Sequence, residues 1–286
     1  MSRPVCLSIQ SAVVAGHVGH GAATPALSLW NAVAVWPLPT VLLSNHAAVA
    51  GVEGRRLPGA EIAALGRGLA ASGALARCDA LLTGYLGSAE AAEAVADIAA
   101  AWRRARPGAP FLCDPVLGDA GKGLYLPAAV GELYRARLLP LADVAAPNLF
   151  ELGWLTGTEP RTDAEILAAA HRLRALGPAI VFVTSVGQGA RTGILTVTAA
   201  GAWRADAPRA PGHLNGAGDF TAAFLLARLL AGDAPPEAAA RATAIAAALA
   251  AAAGGRDDLP VLDTATAPHP ETRSAPLAPA DARGAA

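Results

Sequence analysis

Three cysteines in 286 residues, no two of them close, exclude a disulfide framework and a CxxC metal or redox motif. Cys6, Cys78 and Cys113 each sit in or beside an apolar, strand-like run, which reads as buried thiols in a reducing compartment. Charge is sparse and balanced: 16% of residues are charged, 22 basic against 23 acidic. That leaves no basic surface of the kind a nucleic-acid partner needs. Long hydrophobic runs are missing too. The longest, 242–253, is mostly alanine and falls short of the roughly 20 residues of a membrane span. The opening "MSRPVCLSIQS" has too short an apolar run for a signal peptide. These absences point to a cytoplasmic chain with neither membrane nor nucleic acid as partner.

What is present is a rhythm. Short apolar runs at 5–9, 40–44, 79–85, 110–114, 143–148 and 179–184 have the length of buried strands, and alanine-rich segments at 59–76, 88–106, 127–139 and 162–176 have the length of helices. A strand pair is expected across 193–206, turning at Ala200-Gly201. Two helices are expected after it, at 218–231 and 236–253, with Pro236 in a first turn and Gly254-Gly255 as the stop. Alternating strands and helices imply an α/β fold, a central and mostly parallel sheet with helices on both faces. The pattern predicts one domain over 1–255, and from Arg256 the Pro/Ala-rich, aperiodic remainder to 286 reads as a disordered tail.

In sheets of this kind ligands gather at the carboxyl ends of strands. Gln10-Ser11, Asn45-His46, Gly84-Tyr85, Asp114 and Asn148 all fall there. Several motifs fail on inspection. "GHVGHGA" (16–22) is not GxGxxG, and "VLGDAGKGL" (116–124) lacks the first glycine and the final Ser/Thr of a P-loop. Ser11, Ser44 and Ser185 have no GxSxG elbow. His17, His20 and His46 lack a metal-binding spacing and read as loop histidines.

"NGAGDF" (215–220) is different. Gly216, Ala217 and Gly218 lead into an almost wholly apolar helix, whose unpaired N-terminal amides would face a site and favour an anion. Asp219 lies in its first turn, where the helix start favours the charged carboxylate. It could simply stabilise that helix. Yet Asp114, Asp119 and Glu151 form a second acidic set at strand ends, and such carboxylates suit a hydrated Mg²⁺. Anion-binding amides, a lone Asp and a cation site together suggest phosphoryl transfer, in which catalysis is mostly positioning and charge stabilisation.

At this point the residues resemble a known family. "NGAGD" looks like the GxGD anion hole of the ribokinase-like superfamily, and "LSIQSAVVAGHVG", "LLSNH", "DALLTGYLGSAE", "CDPVLGD", "ADVAAPNLFE" and "FVTS" resemble pyridoxal kinases, in that family's order from residue 7 to 219. The resemblance implies an ATP-dependent kinase acting on the 5′-hydroxyl of pyridoxal or a related vitamer. Asp219 would be the base and Gly216, Ala217 and Gly218 the anion hole. Ser11, His46, Ala47, Ala48 and Tyr85 would line the substrate pocket. Asp114, Asp119, Ala146, Glu151, Thr184, Pro208 and Arg209 would lie on the ATP side, with Asp114 and Glu151 at Mg²⁺, partly through water. Asn148 would support that network, and Tyr125 falls in the segment that covers the phosphates. The family also raises a monovalent cation and a homodimer.

The sequence departs from the family pattern at Ala47, Val49 and Val52, where Thr, Tyr and Trp are usual, and at His20 in place of an Asn. Bland accounts also stand for single residues: Ser11 capping a turn, Asp114 in a turn before Pro115, Glu151 starting a helix, Tyr85 in the core. Two other functions therefore stay open, a hydroxymethylpyrimidine or sugar kinase and a weakly active vitamin B6-binding protein.

Overall fold

The computed structural model describes residues 3–47, 49–187, 189–210, 214–256, 258–261 and 275–276. Its strands are β1 (Val5–Val13), β2 (Ala34–Leu43), β3 (Gly54–Arg56), β4 (Ala80–Thr83), β5 (Phe111–Cys113), β6 (Gly118–Asp119), β7 (Gly123–Leu124), β8 (Val144–Ala145), β9 (Ile180–Val186), β10 (Arg191–Thr198), β11 (Gly201–Pro208) and β12 (Ala275–Pro276). Its helices are α1 (His20–Asn31), α2 (Gly59–Ala71), α3 (Ala89–Ala105), α4 (Ala128–Leu133), α5 (Leu149–Thr156), α6 (Asp163–Arg174), α7 (Ala217–Leu230) and α8 (Pro235–Ala253).

One sheet runs in the order β12-β11-β10-β9-β8-β5-β4-β1-β2-β3. Its centre, from β9 through β2, is parallel, and its two edges are antiparallel. The expected α/β architecture is the one observed. Alternation along each strand feeds two cores. Leu81 faces one core, with α2, α3, α4 and α6, while Ala80 and Leu82 face the other, with α1, α7 and α8. Alanine lets these layers close up: Ala238, Ala239 and Ala242 of α8 are fully buried. All three cysteines are buried and free.

The helices that carry site residues have local reasons to start. Asn148 and Glu151 close a reciprocal capping box on α5, as Thr162 and Glu165 do on α6. Ser88 caps α3 by accepting the Ala91 N–H at 3.1 Å. The expected β10–β11 pair forms, turning at Ala199-Ala200, one residue before the expected Ala200-Gly201, since Gly201 already pairs with Thr198.

Three expectations are corrected. The strand expected at 40–44 begins at Ala34. Pro37 and Pro39 disguised it, but β3 covers only Val41–Leu43, so both prolines sit where the outer edge needs no N–H donor. The glycine-rich 16–22 segment is not all loop. His20 opens α1 and is buried; its N-cap is Gly19 and Pro25 lies inside, so no start signal announced the helix. The boundary drawn after residue 255 cuts off residues that the core uses, since Leu259 and Val261 are buried in it. Of the expected tail, 257, 262–274 and 277–286 lie outside the described residues.

Candidate active site

A cleft of about 1070 Å³ opens at the carboxyl ends of the parallel strands. Every site residue named from the sequence lines it except Ala48, which lies outside the described residues. Residues from 11 to 219 thus meet in one place. β1, β4, β5, β8 and β9 supply the floor. Val41 and Leu43 of β2 form one wall, the start of α7 and Thr243 and Ala247 of α8 form the other, and the β6–β7 hairpin lies over the acids.

Gly216 is the N-cap of α7, in the left-handed region at φ 79°. A Cβ there would meet the His17 carbonyl oxygen at 1.7 Å, so only glycine lets the 16–19 loop seat against this helix start. Gly218, by contrast, has open space around its missing Cβ. Asp219 is half-buried, and its Oδ2 accepts the Gly19 backbone N–H at 2.8 Å. The sequence reading had the helix start favour its charged form. Burial outweighs that and pushes its pKa up to about 6, the Gly19 hydrogen bond pulling the other way. The carboxylate is still mostly charged at neutral pH.

The 16–19 loop is itself fastened from the far end of the chain. Asp258 accepts the His17 N–H and pairs with His17 Nδ1, both at 2.9 Å.

Asp114 and Glu151 are buried, and each is close enough to other acids to feel them. Desolvation, then Glu151 and Asp219, hold the Asp114 carboxyl well above the usual range. Burial pushes Glu151 up to about 8, against the pull of the backbone N–H groups of Asn148, Leu117 and Gly118. Glu151 therefore does start a helix, the bland account, and at the same time ties that helix to the 117–118 loop. Asn148 donates to the Gly118 carbonyl at 2.8 Å, closing the same knot. Among the described residues, no Arg or Lys pairs with Asp114, Glu151 or Asp219. Crowded, buried carboxylates without a counter-charge are a fit for a hard divalent cation.

At the other end Ser11 is buried and Tyr85 half-buried. The Tyr85 carbonyl accepts Thr40 Oγ1 at 2.6 Å, and the Gly84 carbonyl accepts the Tyr134 hydroxyl. His46 and Ala47 lie at the rim. Asp119 sits in the hairpin and caps its turn through the Ala120 N–H, and Tyr125 follows it, exposed. Thr184 is held by its N–H to the Pro147 carbonyl at 2.9 Å, and the Arg209 N–H reaches the Ala190 carbonyl at 2.8 Å. Ala146 and Pro208 complete that side.

Sequence reasoning missed Gly19, Arg56, Lys122, Ser185 and Asp258. Ser185 takes a left-handed conformation at φ 59°, strain of the kind that concentrates at functional sites. Lys122 had a signal, being the only lysine in the chain. Gly19 acts through its backbone, so its side chain gave none.

Comparison with known proteins agrees with this geometry. The family model for phosphomethylpyrimidine kinase matches residues 61–259. The chain is 40% identical to pyridoxal kinase PdxY of Rubrobacter xylanophilus over 237 residues, 81% of each protein. The chain belongs to the pyridoxal kinase family. A second relative, pyridoxal kinase PdxY of Granulibacter bethesdensis, is 42% identical over 80% of this chain and 82% of its own. Among solved structures, pyridoxal kinase from Leishmania donovani in complex with ADP and pyridoxamine superposes with a TM-score of 0.87 at 31% identity, over 96% of this chain and 99% of that one. The same Leishmania enzyme has been solved with ADP and pyridoxine, with the same TM-score and coverage.

Proposed function

We propose that the chain is an ATP-dependent pyridoxal kinase that transfers the γ-phosphoryl group to the 5′-hydroxyl of pyridoxal. The observation that carries this is Asp219, fixed by Gly19, beside the Gly216–Gly218 start of α7 in the lining of the cleft. Relatives named as pyridoxal kinases, one of them solved with ADP and two vitamers, support the choice of substrates.

In this reading Asp219 orients the acceptor hydroxyl and takes its proton, and the α7 start holds the migrating phosphoryl group. Ser11, His46, Ala47, Ala48 and Tyr85 hold the ring. Asp119, Ala146, Thr184, Pro208 and Arg209 flank the nucleotide. Asp114, and Glu151 through water, would hold Mg²⁺, which would supply charge neutralisation of the phosphates. Glu151 suits a water-mediated role because its oxygens already accept backbone N–H groups. The same reading makes the protein a cytoplasmic homodimer, since ATP is its co-substrate and the resembled family is dimeric.

The match to a phosphomethylpyrimidine kinase model keeps a second acceptor in play, hydroxymethylpyrimidine. A coupled ADP-release assay over pyridoxal, pyridoxine, pyridoxamine and hydroxymethylpyrimidine separates the two. Turnover of the pyridine alcohols supports the proposal. Turnover of the pyrimidine alone, or of none, overturns it.

A further inference from the structure

The acceptor end of the cleft holds a cation that the roles above leave unused. β3 is a short edge strand carrying Arg55 and Arg56 in succession. Neighbouring side chains on a strand point to opposite faces, and these two part company. Arg55 is engaged by Glu61, at 3.1 and 3.3 Å. Arg56 stands opposite Val41 in the β2–β3 register and lines the cleft. Its Cγ passes Gly87 at ordinary contact distance from where a Cβ would stand.

Among the described residues, the Arg56 side chain has neither a hydrogen bond nor an ion pair. Val41, opposite Arg56, and Leu43 and Val13, paired two residues further along β2, line the cleft with apolar surface, and Ser11 and Tyr85 line it as polar points. A guanidinium at an apolar slot, with no carboxylate of its own chain, is set to meet an accepting oxygen on a ligand.

We propose that Arg56 is a specificity determinant that recognises an anionic oxygen on the acceptor ring. This deepens the kinase reading and rests on it. A 3-hydroxypyridine vitamer carries such an oxygen, since its phenol ionises readily when the ring nitrogen is protonated. Hydroxymethylpyrimidine has a neutral ring nitrogen in the corresponding place and offers no anion. Arg56 therefore favours the pyridine over the pyrimidine, independently of the phosphoryl-transfer machinery at Asp219.

The test compares wild type, Arg56→Met and Arg56→Lys in direct binding of pyridoxine and of 3-deoxypyridoxine, without nucleotide, and then in ADP release. Arg56 is exposed, so the variants should melt with wild type. Arg56→Met should weaken pyridoxine binding about tenfold, the scale of one charge-assisted contact discounted for exposure. It should leave 3-deoxypyridoxine binding unchanged, and Arg56→Lys should recover part of the loss. In turnover the change should fall on KM and spare kcat. Equal losses for both ligands, no loss for either, or a wild type that binds no ring-oxygen acceptor would overturn the inference. A wild type that binds pyridoxine but releases no ADP would overturn the kinase reading alone, and the binding comparison would still judge Arg56.

Discussion

Gly19 holds Asp219 by a single backbone hydrogen bond of 2.8 Å, across 200 positions of sequence. That bond and the burial around it set the carboxylate's pKa near 6. A base must be ionised to act, so kcat/KM should rise with pH through about 6 and level off above it. Asp219→Asn should lose about 10²- to 10⁴-fold in kcat, the usual worth of a positioned base, while still binding ATP. An Asn variant with wild-type turnover would remove Asp219 from its role.

The two glycines proposed for the anion hole, Gly216 and Gly218, should respond differently to alanine. Gly216→Ala forces a Cβ onto the His17 carbonyl at a positive φ, and should cost about 1–3 kcal/mol of stability or displace the 16–19 loop. Gly218→Ala meets nothing, so its melting temperature should hold. Its methyl group would enter the space assigned to phosphate, and turnover should fall. Equal melting temperatures for the two variants would contradict this.

Glu151 links pH to stability. Its carboxyl titrates near 8 when folded, against an ordinary 4.5, so between those values the folded chain binds more protons than the unfolded one. Stability should then fall as pH rises from about 4.5 to 8 in the absence of metal. Asp114, shifted in the same direction, adds to the slope. Mg²⁺ should flatten it by stabilising the charged forms. Thermal melts across pH, with and without Mg²⁺, measure this, and a slope that Mg²⁺ leaves unchanged would argue against cation binding at these acids.

Asp258 should matter more for rate than for stability. Its side chain is 53% exposed and that of His17 31%, and such pairs contribute about 0–1 kcal/mol. But the loop they fasten carries Gly19. Asp258→Ala should therefore lower kcat several-fold with a small change in melting temperature, and Asp258→Asn, which can still accept the His17 N–H, should lose less. A large fall in melting temperature with unchanged kcat would reverse this assignment.

The sheet and most helices were legible because the central strands had to be largely apolar and each long helix had to bury alanine. The cleft was legible where a polar side chain stands at a strand end, as at Asp114 and Tyr85, or at a helix start, as at Asp219. Legibility failed where local signals cancelled. Pro37 and Pro39 hid the first half of β2, and α1 began on a glycine with a proline inside. It failed again where the work is done by backbone, as at Gly19, or by an aperiodic stretch whose few apolar residues, Leu259 and Val261, pack into the core. Arg56 was invisible for a further reason: a surface arginine carries no mark of the cavity that it borders.

The hairpin over the acids carries Lys122, the only lysine of the chain, exposed at the mouth of the cleft. Amine-directed chemistry therefore has one side-chain target. A fluorophore or an isotopically labelled methyl group attached there would report on the hairpin alone, apart from the α-amino group, with no engineered cysteine and no residue removed. The three thiols are buried, so an orthogonal pair could be built by adding a single cysteine elsewhere. The hairpin's position with and without nucleotide could then be followed as a distance in solution, in an otherwise native protein.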